Sequence, residues 1–397
     1  MILLSHKIQL SPNNQQATYF SKSCGVARFS YNWALNEWKT QYSAGLKPSE
    51  MALRRQLNSI KKDQFPWMLE VTKNAPQMSI IHLGEAFKRF FKGIAKYPQF
   101  KKKGIHDSFT LTNDQFKVTE NKIRIPHIGK VKLCENLRFI GKIVSATISR
   151  IANTWFVSIT VETNPIQKTF ENQGVVGIDL GVKKLATLSN GEEIVGPKPH
   201  KVLLKRLKNL SRSLSRKQKG SNNRFKAKQK LSKLHARISN IRLDALHKLT
   251  TSIVNRFSTV VIEDLNVKGM MKNRKLSRSI SDMSFYEFRR QLEYKLKFRN
   301  GNLIVADRFF ASSKLCSACN FKNEELTLSH RTWTCQSCQT FHDRDFNASM
   351  NLKNLAVSST VLACGEEGNG NTNSNISIVK PLRRSKNQIT NLDVTRC

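Results

Sequence analysis

The stretch Gly177-Ile178-Asp179-Leu180-Gly181 decides the fold that we predict for this chain, because it extends the apolar run Gly174-Val175-Val176. A second run, 182–189, leads into Asn190-Gly191, a residue pair typical of a tight β-hairpin turn. Asp179 is therefore predicted to lie in a strand at the buried centre of a sheet. An ionised carboxylate is unfavourable there unless a donor or a cation meets it. Asp179 thus either accepts bonds from backbone amides or belongs to a functional site.

Two further acidic residues stand in comparable settings far along the chain. The apolar run 260–262 ends at Glu263, and Asp345 lies at the start of a predicted helix, 343–348. Two strand ends and a helix start can converge on one edge of a sheet, so Asp179, Glu263 and Asp345 are predicted to form one metal site. Three carboxylates suit Mg²⁺, which prefers oxygen ligands and shares phosphate oxygens of a substrate. Two such ions can hydrolyse a phosphodiester.

The net charge of the chain predicts a polyanionic partner. Its 397 residues carry 67 Lys and Arg against 28 Asp and Glu, a formal charge of +39. A charge this large repels itself in a compact fold, and bound nucleic acid is the obvious compensation. Binding to a membrane surface is a weaker alternative, because the charge is spread over the chain. No run of 18 apolar residues occurs, and the apolar start of the chain is too short for a signal peptide, so no membrane partner is expected.

Four of the eight cysteines form two closely spaced pairs, Cys316 with Cys319 and Cys335 with Cys338. Fifteen residues separate the pairs, a spacing typical of one tetrahedral zinc site with four thiolate ligands. The other cysteines are scattered, which favours a reducing compartment over a disulfide framework. Because all four positions would be occupied by protein, we expect one structural zinc ion, with the catalytic metal elsewhere.

The pattern of apolar residues predicts an α+β multidomain chain. Residues 1–10 read as a strand, 11–95 as helical, and 96–170 as short strands that form a small β-barrel together with strand 1–10. The segment 266–283 is polar and basic and is predicted to be a loop. The composition of 357–397 predicts a disordered tail.

Basic residues are concentrated in two places. Residues 201–240 contain fourteen Lys and Arg and no Asp or Glu, on a helical hairpin broken at Gly220. Since no acid is present to form pairs along these helices, we predict contact with phosphates. A short Lys-rich segment follows Pro98. The predicted nucleic-acid-binding residues are Lys101, Lys102, Lys103, Lys205, Arg206, Arg212, Arg216, Lys217, Arg224, Lys226 and Lys228.

The order of these motifs resembles the TnpB family of transposon-encoded, RNA-guided nucleases, which are related to type V CRISPR effectors. The resemblance covers about residues 1–356 and rests on 177–181, on 262–265, on the two cysteine pairs and on 343–348. It implies a RuvC-like, RNase H-type nuclease domain (171–310 plus 343–356) with an inserted zinc ribbon (311–342). It also implies a helical recognition domain (11–95) and a wedge-like β-barrel (1–10 plus 96–170).

The resemblance further assigns the catalytic triad to Asp179, Glu263 and Asp345. Asp345 is preferred to Asp343 because the acid of the family lies two residues before the Asn. The family usually has Gly after the second Cys of each pair, whereas Asn320 and Gln339 stand here. Both would adopt a left-handed backbone, which Asn tolerates better than Gln.

The partners and the location also follow from the resemblance alone. It implies a guide RNA from the transposon end, double-stranded target DNA, and a cytoplasmic, nucleoid-associated protein of a prokaryote. Two alternatives remain open: a guide-independent transposase or resolvase-like nuclease, and a non-catalytic nucleic-acid-binding repressor. The oligomeric state is not predicted.

Overall fold

The computed structural model describes residues 1–164, 174–327 and 329–364. The chain divides into two compact units, of which the first is Met1–Asn164 and the second contains the described residues from 174 onward. The predicted domain boundary at 170 and most of the predicted disordered tail, 365–397, lie outside the described residues. Within the described part of the chain, no helix is both long and apolar enough to cross a membrane.

The first unit packs three helices against one antiparallel sheet. Its helices are α1 (Asn14–Ser43), α2 (Glu50–Gln64) and α3 (Asn74–Phe91). Its strands are β1 (Ile2–Ser11), β2 (Ser108–Thr112), β3 (Lys117–Thr119), β4 (Lys122–Ile125), β5 (Gly129–Leu133), β6 (Lys142–Ile151) and β7 (Thr154–Thr163). Helix α1 begins at a capping box, in which Asn13 and Gln16 bond each other's backbone amides.

The predicted pairing of the first strand with the later strands is confirmed, because β1 pairs with β7 and with β5. The predicted small barrel is corrected: among the described strands the order is β2-β6-β7-β1-β5-β4-β3, an open sheet with β2 and β3 at its edges. Closure is not needed to bury the apolar face, because helices cover it. Phe20 of α1, for example, lies 5.2 Å from Trp155 of β7, measured between ring centroids, within one shared core.

The second unit is built on a mixed sheet of order β10-β9-β8-β11-β12. Strands β8 (Val175–Asp179), β11 (Thr259–Glu263) and β12 (Asn302–Ala306) are parallel, whereas β9 (Ala186–Leu188) and β10 (Glu193–Ile194) form an antiparallel hairpin. The predicted central position of Asp179 is therefore confirmed. A two-stranded sheet, β13 (Thr332–Thr334) and β14 (Phe341–Asp343), follows.

The second unit also contains helices, some of which pack on the two faces of the mixed sheet. They are α4 (Pro199–Val202), α5 (Leu204–Ser215), α6 (Asn222–Arg256), α7 (Val267–Met271), α8 (Ser277–Met283), α9 (Phe285–Phe298) and α10 (Arg344–Cys364). Ile178 and Ile262 pack towards α6 and α9, whereas Val261 packs towards Leu352 of α10. This alternation follows the period of two in a strand.

Two predictions about the second unit are wrong and one is confirmed. The basic hairpin is present as α5 and α6, with Gly220 at φ +87° between them. The predicted loop 266–283 instead contains α7 and α8, and α8 is anchored by the buried Asp282, which Arg242 and two backbone amides of α4 contact. The disordered tail was predicted to begin at residue 357, which is too early, because helix α10 continues to Cys364.

Candidate active site and four-cysteine cluster

Two of the three predicted acids lie side by side at the carboxyl edge of the mixed sheet. Asp179 ends β8 and Glu263 ends β11, and these neighbouring parallel strands are in register through Ile178 and Ile262. Parallel strands present their carboxyl ends at the same edge, which is the usual location of functional residues in open α/β sheets. The apolar runs thus form the strands, and the acid at the end of each is brought to that edge.

The third acid arrives on helix α10, which packs directly on β8. Gly177 makes this possible: a Cβ atom built there would lie 2.0 Å from the backbone oxygen of Ser349 and 2.5 Å from the backbone nitrogen of Lys353. The helix and the strand therefore touch through their backbones. This close approach brings Asp345, in the first turn of α10, to the edge that carries Asp179.

The electrostatics of Asp179 show the influence of the two other acids. Burial raises the pKa of Asp179 well above its usual range, and the negative charges of Glu263 and Asp345 raise it further, while Arg344 acts in the opposite direction. Burial also raises the pKa of Glu263, against a hydrogen bond from the hydroxyl of Ser312. Burial is thus the main cause that favours proton binding by Asp179 and Glu263, and repulsion from the neighbouring carboxylates adds to it at Asp179.

The neighbouring acids have different surroundings. The Oδ1 atom of Asp343 accepts hydrogen bonds from the backbone amides of Asp345 (3.0 Å) and Phe346 (2.9 Å), so Asp343 caps α10. Asp264 forms ion pairs with Arg289 (2.7 Å) and Arg308 (2.6 Å). Both carboxylates are thus used to hold local structure. Sequence reasoning missed the ion pairs of Asp264, whose partners are distant in the chain.

The four predicted cysteines come together. The Sγ atoms of Cys316, Cys319, Cys335 and Cys338 all lie within 4.8 Å of one another. Two of the Sγ–Sγ distances are 3.6 Å, close to the ~3.8 Å edge of a tetrahedron with zinc–sulfur bonds of ~2.3 Å. Within the described residues, these four cysteines are the group of three or more His, Cys, Asp or Glu side chains that could hold a metal ion.

The two residues that replace the usual glycines do take the left-handed backbone. Asn320 has φ 62° and Gln339 has φ 57°, and their amides donate to the carbonyls of Cys316 (2.9 Å) and Cys335 (3.0 Å). Each turn folds its cysteine pair into a knuckle. A buried residue that sequence reasoning missed, His342, has its Nε2 atom 3.0 Å from the Sγ atom of Cys316.

The predicted nucleic-acid-binding residues are solvent-exposed with one exception. Arg224 is half-buried and donates to the carbonyls of Leu214 (3.0 Å) and Lys217 (2.8 Å), so its guanidinium closes the turn between α5 and α6. The ammonium group of Lys101 lies 4.2 Å from the ring centroid of Tyr31. Contacts of the eleven residues with nucleic acid remain a prediction.

A comparison with solved structures shows which known fold this architecture resembles. A Cas12f1 protein, solved in complex with single guide RNA and target DNA, matches with a TM-score of 0.56 at 16% sequence identity, over 86% of this chain and 83% of that chain. The fold therefore defines an α+β protein that resembles a Cas12f1 protein and carries a four-cysteine cluster just before helix α10.

The chain belongs to the TnpB family, as its sequence relatives show. A protein of Streptomyces pristinaespiralis named "Putative RNA-guided DNA endonuclease" is 38% identical over 368 residues, which cover 91% of this chain and 90% of that protein. "Putative RNA-guided DNA endonuclease InsQ" of Escherichia coli (strain K12) is 33% identical over 382 residues, covering 92% of this chain and 94% of that protein. The predicted family is thereby confirmed.

Family models match three segments of the chain. The model OrfB_IS605, described as "Probable transposase", matches residues 158–274, and the model described as "Cas12f1-like, TNB domain" matches 285–352. A third, described as "Helix-turn-helix domain", matches 1–47. In this chain those residues form strand β1, the single helix α1 and the turn after it, so the name of the third model does not describe their geometry.

Proposed function

We propose that this chain is an RNA-guided, Mg²⁺-dependent DNA endonuclease encoded by a transposable element. The observation that carries the proposal is the meeting of three acids from β8, β11 and α10 at one sheet edge, where burial and then the charges of Glu263 and Asp345 raise the pKa of Asp179. Such crowding of anions is unfavourable for the free protein and is relieved by bound cations. The names of the relatives supply the second support, because two that match over nearly the whole chain are called RNA-guided DNA endonucleases.

In this proposal Asp179, Glu263 and Asp345 hold the catalytic metal through their carboxylate oxygens, the ligand type that Mg²⁺ prefers. Two Mg²⁺ ions bound there supply an activated water and stabilise the leaving oxygen of the phosphodiester. Asp343 does not take part, because its Oδ1 atom caps α10. Three carboxylates suit Mg²⁺, because this ion completes its coordination with water and substrate phosphate.

The four cysteines hold one structural Zn²⁺ in this proposal. Their sulfur atoms fit a tetrahedral ion, and no fifth protein ligand is required. The ion would fix both knuckles and so support the segment that precedes α10. It would take no part in hydrolysis, because all four positions are filled by protein.

The nucleic-acid partners are a guide RNA from the transposon end and a double-stranded DNA target. The exposed basic residues of α5 and α6 would contact phosphates, which explains a helical hairpin without acids between 201 and 240. Lys101, Lys102 and Lys103 form a second basic segment in the first unit.

The test begins with co-expression of the protein and its flanking DNA, followed by purification and sequencing of any bound RNA. We expect one discrete RNA, and cutting of a matching DNA that requires both this RNA and Mg²⁺. Undiminished cutting after the RNA is removed would instead establish a guide-independent transposase. Binding without any metal-dependent cutting would establish a repressor.

The triad is tested with a matched pair of substitutions two residues apart. Asp345→Asn should abolish cutting while DNA binding survives, because a neutral amide is a poor Mg²⁺ ligand. Asp343→Asn should keep most of the activity, because Asn caps a helix about as well as Asp. Retained cutting by the Asp345→Asn protein would remove Asp345 from the site.

A further inference from the structure

A short segment between β12 and the first cysteine contacts the proposed active site. The hydroxyl of Ser312 donates a hydrogen bond to the Oε1 atom of Glu263, and Ser312 is only 3% exposed. The chain turns tightly here: the amide of Ser312 donates to the carbonyl of Phe310 (2.9 Å). Glu263 therefore has one carboxylate oxygen engaged by a buried, well-held partner.

Helix α10 holds Ser312 in place through a buried amide. The Nδ2 atom of Asn351 donates to the carbonyl of Ser312 at 2.8 Å and to the carbonyl of Leu315 at 2.7 Å. The Nδ2 atom of Asn347 donates to the same Leu315 carbonyl at 2.6 Å. Asn347 and Asn351 are 1% and 4% exposed and lie four residues apart, so both point from one face of the helix.

The other end of this chain of contacts is the first cysteine knuckle. Leu315 directly precedes Cys316, whose amide donates to the carbonyl of Phe321 at 2.9 Å. The amide of Ser317 donates to the Oδ1 atom of Asn347 at 2.9 Å. The position of the Leu315 carbonyl is thus determined both by α10 and by the closed knuckle.

We infer that Ser312 is a positioning residue for Glu263, and that Asn351 links it to the four-cysteine cluster, so that a filled cluster strengthens divalent-ion binding at the carboxylates. This inference rests on the proposed function, since it takes Glu263 as a metal ligand. The Ser312 hydroxyl holds the Oε1 atom of Glu263 and so would fix the carboxylate that is proposed to bind the ion. Mg²⁺ demands near-ideal octahedral geometry, so an unfixed ligand binds it less well.

The first measurement is Mn²⁺ binding to the protein–RNA complex, followed by electron paramagnetic resonance, with and without Ser312→Ala. We expect the dissociation constant to rise by about 10- to 100-fold, the usual effect of removing a partner that orients a metal ligand. Ser312→Thr keeps the hydroxyl and should restore affinity to within a few-fold. Ser313→Ala, which alters the adjacent serine outside this chain of contacts, should leave it unchanged.

The link to the cysteines is tested with a double-mutant cycle. Cys338→Ser alters an exposed ligand of the cluster, and its zinc content is measured alongside Mn²⁺ affinity. We expect Cys338→Ser to weaken Mn²⁺ binding in the otherwise native protein. In the Ser312→Ala protein it should cause little further weakening, because both substitutions act through one path. DNA binding without divalent ions should be equal in all variants.

Two outcomes would overturn the inference. Unchanged Mn²⁺ affinity in the Ser312→Ala protein refutes the positioning role. Equal weakening by Cys338→Ser with and without the Ser312 hydroxyl refutes the path through Asn351. Failure of the proposed function is separately recognisable, because the native complex would then bind Mn²⁺ without cutting matched DNA.

Discussion

Replacing Gly177 by alanine tests how the third acid reaches the sheet. The added Cβ atom would lie 2.0 Å from the backbone oxygen of Ser349, where an ordinary contact is at least 3.4 Å. The difference, 1.4 Å, has to be absorbed by movement of α10 or β8, because the obstructing atoms are backbone and cannot rotate away. Overpacking of this kind costs about 1–3 kcal/mol.

The same movement displaces Asp345 from Asp179, so the effect on cutting should exceed the effect on stability. A misplacement of about 1 Å at a catalytic site typically lowers the rate by about 100-fold. The unfolding temperature should fall by about 2–4 °C for each kcal/mol of destabilisation. Differential scanning calorimetry and single-turnover cleavage of a matched DNA measure the two effects.

Gly25→Ala provides the matched control for the Gly177→Ala variant. Gly25 lies inside α1, and a Cβ atom there meets no other heavy atom within 4 Å. Alanine should stabilise that helix by about 1 kcal/mol, as it does in most helix interiors. A Gly177→Ala protein with native unfolding temperature and native cutting rate would refute direct backbone contact between α10 and β8.

Three other variants, one of them a double substitution, have defined expectations. Burial and the neighbouring carboxylates raise the folded-state pKa of Asp179. The contribution of this group to stability is therefore full below its unfolded-state pKa and is lost as the pH rises through its folded-state pKa. The metal-free protein should lose stability with rising pH, and the Asp179→Asn protein should lose less and should unfold at a higher temperature at pH 7. Gln339→Gly should stabilise the second knuckle by about 1 kcal/mol, because glycine adopts the left-handed backbone without strain. Zinc affinity and the melting temperature measure this effect. An unchanged or lower stability would contradict the expectation. Lys205→Gln with Arg206→Gln should reduce the steepness of log binding constant against log salt by about 1 for every phosphate that the native side chains neutralise, and an unchanged slope would show that neither residue binds phosphate.

The sequence allowed the location of the acids to be predicted because each strand acid follows an apolar run. The three middle residues of β8 are buried, as its apolar run predicts, and the residue that ends the strand lies at the sheet edge. The cysteine spacing likewise predicted a cluster, since two knuckles of this kind can meet only around a common centre. These are local signals that need no knowledge of distant partners.

The features that sequence analysis missed depend on contacts between distant parts of the chain. The close packing at Gly177 requires α10 to lie on β8, and the bond between Ser312 and Glu263 joins segments that no periodicity relates. The segment 266–283 is polar, yet α8 is held in place because the carboxylate of Asp282 accepts hydrogen bonds from Arg242 and from two backbone amides of α4. A polar composition predicted a loop because these buried partners were unknown.

The order of the three acids along the chain determines when the proposed metal site can first be complete. Asp179 and Glu263 are synthesised first, whereas Asp345 is synthesised later, as part of α10. At about 5–20 residues per second, roughly 8–33 s separate the synthesis of Asp179 from that of Asp345. Chains released before α10 is synthesised lack Asp345 and therefore one of the three proposed metal ligands. On the proposed function, unfinished protein would thus be unable to cut DNA.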